Sequence, residues 1–488
     1  MARPGGQRGS RGQPPKRKKR DEFFEDEDAV DFFEDAGDNQ AGEEADEGEP
    51  SSDEEETAEQ KRLRLAKEYL AGIRAVEAAG RDGAEDGASD EDGLDAAVDR
   101  RLRQDAAEAM GWAQRALAAR VVLPEGVPRS IPGQKLHRGH SQSVTALALT
   151  ADDRTLYSVS KDGTILRHDI ESGNRERMSS GAAAGPSGAP AAHWVVPGAR
   201  QTSRAALLAC AVSSDGVYVA AGGGSRVVHV WDTRAGLAPI KSFPGHKDAV
   251  TALAFRLGTH ELFSGSLDRS VKLWSLDDLA YVDSLFGHQA EVLALDALRT
   301  ERVLSVGGDR TCRLWKIPEE TQLIFRGYHP VIESCAFTKG GEWVTGAADG
   351  ALGLWSAARK KPLQSIRAAH SAEADASPLG SIGGNAAAGV LSVAVCPASD
   401  LVATGAGDGL VRLWSLDKGT KGTKGLSQLG GLPARGFVNG LAVARSGRFV
   451  AAGMGQEPRM GRWGRDGKAR NGVLILPLTL RAEDAAEE

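Results

Sequence analysis

From about residue 131 onward, apolar and polar residues alternate in short segments that end at glycine or at polar turns. One unit shows the pattern clearly: AVTALAF at Ala249–Phe255 alternates, HELFSGS follows a turn at Gly258, and SVKLWSL and AYVDSLF complete the unit. Alternation with a period of two, interrupted by turn residues, is typical of β-strands with one buried face. The pattern therefore predicts units of four short strands.

These units repeat along the chain. Segments such as SGSLDRSVKLWS, SVGGDRTCRLWK and TGAADGALGLWS share a late tryptophan, and Trp231, Trp274, Trp315 and Trp355 lie 43, 41 and 40 residues apart. This is the period of the four-stranded propeller blades of WD-repeat proteins, which the units resemble. Two longer intervals contain insertions rich in Gly, Ala, Ser and Pro, which we interpret as loops between blades.

The last unit runs from GFVNGLAVARSGRFVAAGMG to NGVLILPLTL and lacks a fourth strand. The segment GQKLHRGH, which precedes the first repeat, can supply that strand and close the ring, so that no sheet edge stays exposed. We therefore predict an all-β fold, a seven-bladed WD40 β-propeller over residues 131–480. A disordered basic and acidic arm at 1–55, a helical N-terminal extension at 56–130 and an acidic tail at 481–488 complete the predicted organisation.

Polar residues recur at fixed distances from these tryptophans. A Ser or Thr lies ten positions before the tryptophan, an Asp lies six positions before it, and a Gly-His pair lies further upstream. In WD-repeat proteins the His, Ser/Thr, Asp and Trp of one blade form a hydrogen-bonded chain, and buried polar groups require such partners. Recurrence in several units argues against a catalytic triad, since an enzyme needs one such site. The clearest sets are His246, Ser264, Asp268 and Trp274, and His288, Ser305, Asp309 and Trp315.

Three units depart from this pattern. His168 replaces the tryptophan in the first unit, Ala221 and Ser225 interrupt the set in the second, and Tyr328 takes the place of the histidine in the fifth. We expect these blades to be held more by packing than by a polar network.

Charge is distributed unevenly along the chain. Residues 1–130 carry 20 basic and 33 acidic residues, whereas residues 131–488 carry 40 basic and 34 acidic residues. Low hydrophobicity with high charge predicts an arm that is disordered when free. An acidic arm on a mildly basic body is typical of a protein that binds a polyanion or many partners.

A basic run in the arm predicts nuclear import through Lys16, Arg17, Lys18, Lys19 and Arg20.

An amphipathic helix is predicted where the acidic arm ends. Leu63, Ala66, Leu70 and Ile73 recur at helical spacing, and a second helical stretch is predicted at Asp95–Val122. A lone helix of about 15 residues is marginal in water. We therefore expect the first helix to order against RNA, against a partner protein or against the propeller itself. The basic residues that flank its apolar stripe are Lys61, Arg62, Arg64 and Lys67.

The last unit also carries a basic insertion, GQEPRMGRWGRDGKARNGVLILP, at Gly455–Pro477. By strand count it joins the second and third strands of its blade, so it should lie on the same rim as the turns that hold Asp268 and Asp309. Basic side chains around an exposed indole suit phosphate contacts and base stacking, whereas the alternative is a solvated loop whose tryptophan packs into its own blade. The candidate RNA-binding residues are Arg459, Arg462, Trp463, Arg465, Lys468 and Arg470 in the insertion, and Lys161, Arg226, Arg269 and Arg310 at turns of the first four blades.

The sequence favours binding over catalysis. It contains no run of about 18 apolar residues that would predict a membrane span and no P-loop, and we expect no enzyme activity, no metal and no cofactor. The four cysteines form no C-x-x-C pair and are interpreted as buried thiols: Cys210, Cys312, Cys335 and Cys396.

Stretches outside the generic repeat pattern make a resemblance specific. The chain resembles the WD-repeat family of the U3 small nucleolar ribonucleoprotein in several stretches: ETAEQKRLRLAKEYL, LWKIPEE, GQEPRMGRWGRDGKARNGVLILPL and FPGHKDAVTALAFRLGTHELFSGSLDRSVKLW. Gly464 stands where similar proteins tend to carry a second aromatic residue after Trp463.

The resemblance implies a non-enzymatic protein of the nucleus and nucleolus that acts in early pre-ribosomal RNA processing for the small subunit. It implies binding to the box B/C region of U3 small nucleolar RNA, with the small kink-turn-binding protein and other box C/D and small-subunit processome proteins as partners. The alternative interpretation is a WD-repeat scaffold for protein partners, such as a histone chaperone or a ubiquitin-ligase substrate adaptor, because an acidic arm also suits histone binding.

Overall fold

The structure is a computed structural model. It describes residues 115–124, 126, 128, 130–178, 205–236, 238–327, 331–338, 341–370, 389–418, 424–461 and 464–481. Several predictions from the sequence concern residues outside these ranges: the arm at 1–55 with its basic run, the helix that contains Lys61 to Lys67, the first part of the second helix, Tyr328, the pair Arg462 and Trp463, and the tail from residue 482.

The described residues form seven four-stranded antiparallel sheets, which we number as blades 1 to 7 along the chain. The strands of each blade are called a to d, from the centre of the ring outward. Blade 1 consists of Val144–Leu149, Thr155–Ser160, Ile165–Asp169 and Arg175–Met178; blade 2 of Leu207–Val212, Tyr218–Gly223, Val227–Asp232 and Pro239–Pro244; blade 3 of Val250–Phe255, Glu261–Ser266, Ser270–Ser275 and Ala280–Phe286. Blade 4 consists of Val292–Ala297, Arg302–Gly307, Thr311–Lys316 and Thr321–Arg326; blade 5 of Ile332–Phe337, Glu342–Ala347, Leu352–Ser356 and Arg359–Ile366; blade 6 of Ser392–Val395, Leu401–Gly405, Leu410–Lys418 and Lys424–Pro433; blade 7 of Phe437–Val443, Phe449–Gly455, Gly472–Pro477 and Lys135–His137.

The ring closes through blade 7. Its strand d, Lys135–His137, comes from the segment before blade 1 and pairs with strand c in the register Leu136 to Leu474. The predicted seven-bladed all-β propeller and its mode of closure are therefore confirmed. A short two-stranded sheet, Val121–Val122 with Thr479–Leu480, joins the two ends of the described chain next to this closure.

The a strands of neighbouring blades contact one another and line a central channel. Near the start of these strands, side chains hydrogen-bond to the next blade: Thr145 Oγ1 donates to the Leu207 carbonyl at 2.7 Å, and Asn439 Nδ2 donates to the Val144 carbonyl at 2.8 Å. Leu293 occupies the position of Thr145 in blade 4 and offers no donor group. The links between blades therefore differ from seam to seam.

The hydrophobic core lies between blades rather than in one central mass. Val230 and Phe243 of blade 2 pack in one buried cluster with Val250, Leu262 and Trp274 of blade 3, and similar clusters fill the other seams. Burying one such side chain contributes roughly 1.5–3 kcal/mol, so each seam carries a large part of the stability. All four cysteines are buried, reduced thiols within these seams and strands.

The end of the second predicted helix is not helical, which corrects that prediction for residues 115–122. Within residues 115–122, a short 3-10 helix, Ala118–Arg120, directly precedes the strand Val121–Val122. In an α-helix these backbone amides would bond within the helix. Here the amides of Leu117 and Ala118 donate instead to Asp400 Oδ1 of blade 6, at 2.8 and 2.9 Å. Burial of the Leu117 side chain against blades 6 and 7 outweighs the local helical preference.

Candidate nucleic-acid interface

Each rim of the propeller is formed by turns, and polar chains inside the blades hold the turns between strands b and c. In blade 3, Trp274 Nε1 donates to Ser264 Oγ at 2.8 Å, His246 Nε2 lies 2.7 Å from the same hydroxyl, and His246 Nδ1 lies 2.9 Å from Asp268. Blade 4 repeats this geometry, with Trp315, Ser305, His288 and Asp309 in the corresponding roles.

The chain has one consistent direction of donation. Trp donates to Ser, Ser donates to the unprotonated His nitrogen, and the other His nitrogen donates to Asp. Burial raises the pKa of Asp268, but hydrogen bonds from His246 and Ser270 and from the amide of Lys247 outweigh burial and hold that pKa well below its usual value. The carboxylate therefore stays ionised and fixes the turn.

Blade 6 contains a polar chain whose histidine the sequence pattern missed, although Thr404 and Asp408 lie at the expected distances from Trp414. His370 Nε2 lies 2.7 Å from Thr404 Oγ1, its Nδ1 lies 2.9 Å from Asp408, and Trp414 Nε1 donates to Thr404 at 2.9 Å. His370 follows alanine instead of glycine and lies 34 residues before Thr404 because a long insertion intervenes. The Ala-His pair shortly after strand d of blade 5 was the available signal.

Blade 1 corrects the expectation that it depends mainly on packing. His140 Nε2 lies 2.7 Å from Ser158 Oγ, and Ser158 Oγ lies 2.8 Å from His168 Nε2, so His168 takes the place of the tryptophan in a continuous chain. Burial, followed by the charges of His140 and His137, lowers the pKa of His168 to about 3. In blade 2, where the set is interrupted, His229 Nδ1 instead lies 2.7 Å from Ser242 Oγ.

Arginines project from the b–c turns of blades 2, 3 and 4. Arg226, Arg269 and Arg310 are exposed and have positive φ angles of 63°, 70° and 63°. Left-handed backbone is unfavourable for residues other than glycine. Glycine occupies the same turn position in three other blades: Gly163, Gly350 and Gly409.

The basic insertion forms a loop, Gln456–Asn471, between strands b and c of blade 7, and we call it the blade 7 loop. It lies on the same rim as the b–c turns of the other blades, as predicted from the strand count. Its cations Arg465, Lys468 and Arg470 are exposed. The base of the loop is held by Gln456, whose amide donates to Asn471 Oδ1 at 3.0 Å.

Lys161 fastens the blade 7 loop to blade 1. Its Nζ donates to the carbonyl of Gly461 at 2.9 Å and lies 3.7 Å from a carboxylate oxygen of Glu457, and its side chain is only 10% exposed. The amide of Glu457 in turn donates to Ser143 Oγ at 3.0 Å. Lys161 is thus engaged in holding the loop.

Arg459 enters the central channel. Its Nη2 donates to the carbonyls of Thr251 in blade 3 and Leu293 in blade 4, at 2.9 and 2.6 Å. Burial lowers the pKa of Arg459, and Glu333 in blade 5 opposes that shift; burial in turn raises the pKa of Glu333. The expectation that all the predicted cations are available at the rim is therefore corrected for Arg459 and Lys161.

Gly464 is required by close packing. A Cβ at this position would lie 2.8 Å from Cζ of Phe437, whose ring is buried in blade 7. A larger residue here would force the loop away from the blade. The absence of an aromatic residue after Trp463 therefore has a steric reason in this chain.

Within the described ranges, no group of three or more His, Cys, Asp and Glu residues is placed to hold a metal ion. In the same part of the chain, no helix has the length and apolar character needed to cross a membrane.

The geometry agrees with comparisons to known proteins. The family WD domain, G-beta repeat, matches residues 133–169, 200–232, 237–275, 280–316 and 376–415. The U3 snoRNP-associated protein-like EMB2271 of Arabidopsis thaliana is 41% identical, over 95% of this chain and 93% of that protein. The U3 small nucleolar RNA-interacting protein 2 of Homo sapiens is 37% identical, over 87% of this chain and 83% of that protein.

Solved structures extend the likeness to three dimensions. A structure of U3-55K superimposes with a TM-score of 0.62 at 38% identity, covering 72% of this chain and all of that one. The RRP9 WD40 repeats superimpose with a TM-score of 0.61 at 38% identity, covering 72% of this chain and 98% of that one. Identity of this level over nearly the whole length establishes that the chain belongs to the WD-repeat family of U3 snoRNP-associated proteins.

Proposed function

We propose that this protein is a component of the U3 small nucleolar ribonucleoprotein that binds U3 RNA and acts in pre-ribosomal RNA processing for the small ribosomal subunit. The relatives named above supply the RNA class. The observation that carries the proposal is the blade 7 loop, which is anchored at several points and keeps Arg465, Lys468 and Arg470 exposed.

An anchored basic loop suits RNA for a physical reason. Ordering a free loop on binding costs conformational entropy, and contacts from Lys161 and Arg459 reduce that cost in advance. The exposed guanidinium and ammonium groups can then contact phosphates, while Trp463 is proposed to stack on a base. Arg226, Arg269 and Arg310 extend the positive charge along the rim.

We infer that the protein acts by binding rather than by catalysis. The His, Ser and Asp of blades 3, 4 and 6 are engaged within their own blades, and their recurrence supports a structural role. A protein of this kind orients RNA for other factors.

The proposed partners are the box B/C region of U3 RNA, the kink-turn-binding protein and other box C/D and small-subunit processome proteins, in the nucleolus. The basic run Lys16–Arg20 is proposed to direct nuclear import. The helix with Lys61, Arg62, Arg64 and Lys67 is proposed to add contacts to RNA or to particle proteins.

Crosslinking in cells followed by sequencing of the attached RNA tests the proposal. We expect U3 RNA to be the enriched species, with crosslinks lost when Arg465, Lys468 and Arg470 are all changed to Gln. The control variant changes Arg154, Arg299 and Arg448 to Gln, because these exposed residues lie in a–b turns on the opposite rim. Recovery of RNase-resistant protein complexes without U3 RNA would instead support the protein-scaffold alternative and refute the proposal.

A further inference from the structure

A cavity of about 320 Å³ opens on blade 4, on the same rim as the blade 7 loop. Its lining includes Gln289, Asp309, Arg310, Arg313 and Arg326. The predicted RNA-binding residues included only Arg310 of this group. The other two arginines come from strands c and d, and folding of the blade brings them beside the turn.

The cavity carries excess positive charge, because three guanidinium groups face one carboxylate. That carboxylate is already engaged: Asp309 accepts hydrogen bonds from Thr311 Oγ1 at 2.7 Å and from the amides of Gln289 and Thr311, and it lies 2.9 Å from His288 Nδ1. The carboxylate of Glu291 lies beside Gly308 and is not part of the lining. The cavity therefore suits an anion.

Arg313 is the most constrained of the three arginines. It is 4% exposed, its Nη1 donates to Gln322 Oε1 at 2.7 Å, and its Nη2 lies 3.6 Å from Asp309. Its Nε is buried with no hydrogen-bond partner among the described residues. Burial lowers the pKa of Arg313; the charge of Asp309 opposes that shift, and the nearby charge of Arg326 adds to it. An anion in the cavity would offset both the burial and the charge of Arg326.

Arg310 keeps an unfavourable backbone conformation at the mouth of the cavity. Its φ is 63°, at a turn position where three other blades have glycine. Strain of this kind persists where surrounding contacts hold the backbone, and here Asp309 fixes the turn by accepting the amide of Thr311 at 3.1 Å.

Blades 3 and 6 lack the complete arrangement. Arg326 pairs with Thr311 in the strand register, and the corresponding residues are Phe286 in blade 3 and Pro433 in blade 6. Blade 6 has an arginine equivalent to Arg313, Arg412, but it has Gly409 at the turn. Among these three blades, the three-arginine cavity is specific to blade 4.

We propose that this cavity binds a backbone phosphate of the RNA that also contacts the blade 7 loop; the inference rests on the function proposed above. Gln289 in the lining lies four residues before Leu293, whose carbonyl accepts the hydrogen bond from Arg459. Four extended residues span at most about 14 Å. The cavity and the anchored loop are therefore close enough to contact one RNA strand.

Two variants test the proposal. Arg326→Gln removes one guanidinium, and Arg310→Gly removes another while relieving the left-handed strain, so its melting temperature should not fall. Binding of a full-length U3 RNA transcript, with the kink-turn-binding protein present, is measured over a series of KCl concentrations. For each variant we expect several-fold weaker binding and a smaller slope of log K against log salt, by up to about 0.7 to 0.9, the value for complete loss of one phosphate contact.

Arg299→Gln is the matched control, because it removes one positive charge from the opposite rim of the same blade. If the wild-type protein and all variants bind with equal affinity and slope, the cavity proposal is overturned while the proposed function stands. If the wild-type protein does not bind the RNA, both are overturned. Competition for the cavity by a phosphoserine peptide, with RNA binding unaffected, would assign it to a protein partner and also overturn the proposal.

Discussion

The guanidinium of Arg459, which belongs to blade 7, donates a 2.6 Å hydrogen bond to the carbonyl of Leu293 in blade 4. Leu293 occupies the strand position at which Thr145 and Thr251 hydrogen-bond to the next blade, and the Leu293 side chain has no donor group. Arg459 therefore joins blades 3, 4 and 7 across the channel, and the blade 7 loop is part of the ring's own architecture.

Loss of this contact should loosen the loop. For Arg459→Ala we expect faster hydrogen exchange of amides in residues 456–471 and a loss of stability of about 2 kcal/mol, since hydrogen bonds from charged groups contribute about 1.5–3 kcal/mol. Hydrogen-exchange mass spectrometry and urea unfolding measure the two effects. Arg465→Ala is the control, because Arg465 is exposed and its contact to Gln456 is long, at 3.4 Å. Unchanged exchange in Arg459→Ala would show that the loop is held by its other contacts.

Two buried tryptophans allow the Trp–Ser hydrogen bond to be isolated. Trp274 Nε1 donates to Ser264 Oγ at 2.8 Å, whereas the buried Trp343 Nε1 has only the weakly accepting thiol of Cys312 beside it among the described residues. Changing either residue to Phe removes a similar volume, so we expect Trp274→Phe to cost about 1 kcal/mol more than Trp343→Phe. Chemical denaturation of both variants measures the difference; equal costs would mean that the polar chain adds nothing beyond packing.

His168 should make stability depend on pH. Burial lowers its pKa to about 3 in the folded protein from the usual 6.5 of the unfolded chain, so between these pH values the unfolded state binds the additional proton. The stability that His168 contributes is fully present above about pH 7 and falls as the pH decreases. At pH 5 the loss relative to neutral pH should be about 2 kcal/mol, because stability falls by about 1.36 kcal/mol for each pH unit once His168 of the unfolded chain is protonated.

The measurement compares wild type with His168→Phe in urea unfolding from pH 5 to pH 8. The difference in unfolding free energy should be constant above pH 7 and should shrink toward pH 5, because the variant lacks this titration. Parallel curves over the whole range would exclude a lowered pKa for His168.

The seam between blades 7 and 1 should be more sensitive than the seam between blades 6 and 7. Asn439 Nδ2 donates to the carbonyls of Val144 and Glu457, whereas Ser392 Oγ donates to the carbonyl of Val438. We expect Asn439→Ala to cost about 2–3 kcal/mol and Ser392→Ala about 1 kcal/mol, because each lost hydrogen bond leaves a buried carbonyl less satisfied. Thermal unfolding ranks the two variants, and the reverse order would contradict this assignment of the seams.

The number of blades could be read from the sequence because each blade repeats the same local rules. Period-two alternation, turn residues and the distances among Ser264, Asp268 and Trp274 are all short-range features. The missing fourth strand of the last unit also pointed to Lys135–His137, since an open sheet edge would otherwise remain. The rim that carries the blade 7 loop followed from counting strands.

Local pattern failed where a residue's partner lies far along the chain. Residues 115–122 have a helical pattern, yet the amides of Leu117 and Ala118 bond to Asp400 of blade 6 because burial of Leu117 there is more favourable. His370 escaped notice because an insertion separates it from Thr404. Arg459 and Arg465 both belong to the same basic stretch of sequence, but Arg459 enters the channel and bonds to the Thr251 carbonyl, whereas Arg465 is exposed to solvent.

Repeats with strong local signals thus specify seven blades and a basic loop on a known rim. Folding of blade 4 alone brings Arg310, Arg313 and Arg326 to one cavity. Which cations hold the blade 7 loop and which remain exposed follows from contacts between residues distant in sequence. Those contacts exist only after the ring has closed, because closure alone brings blades 3, 4 and 7 to opposite sides of one channel.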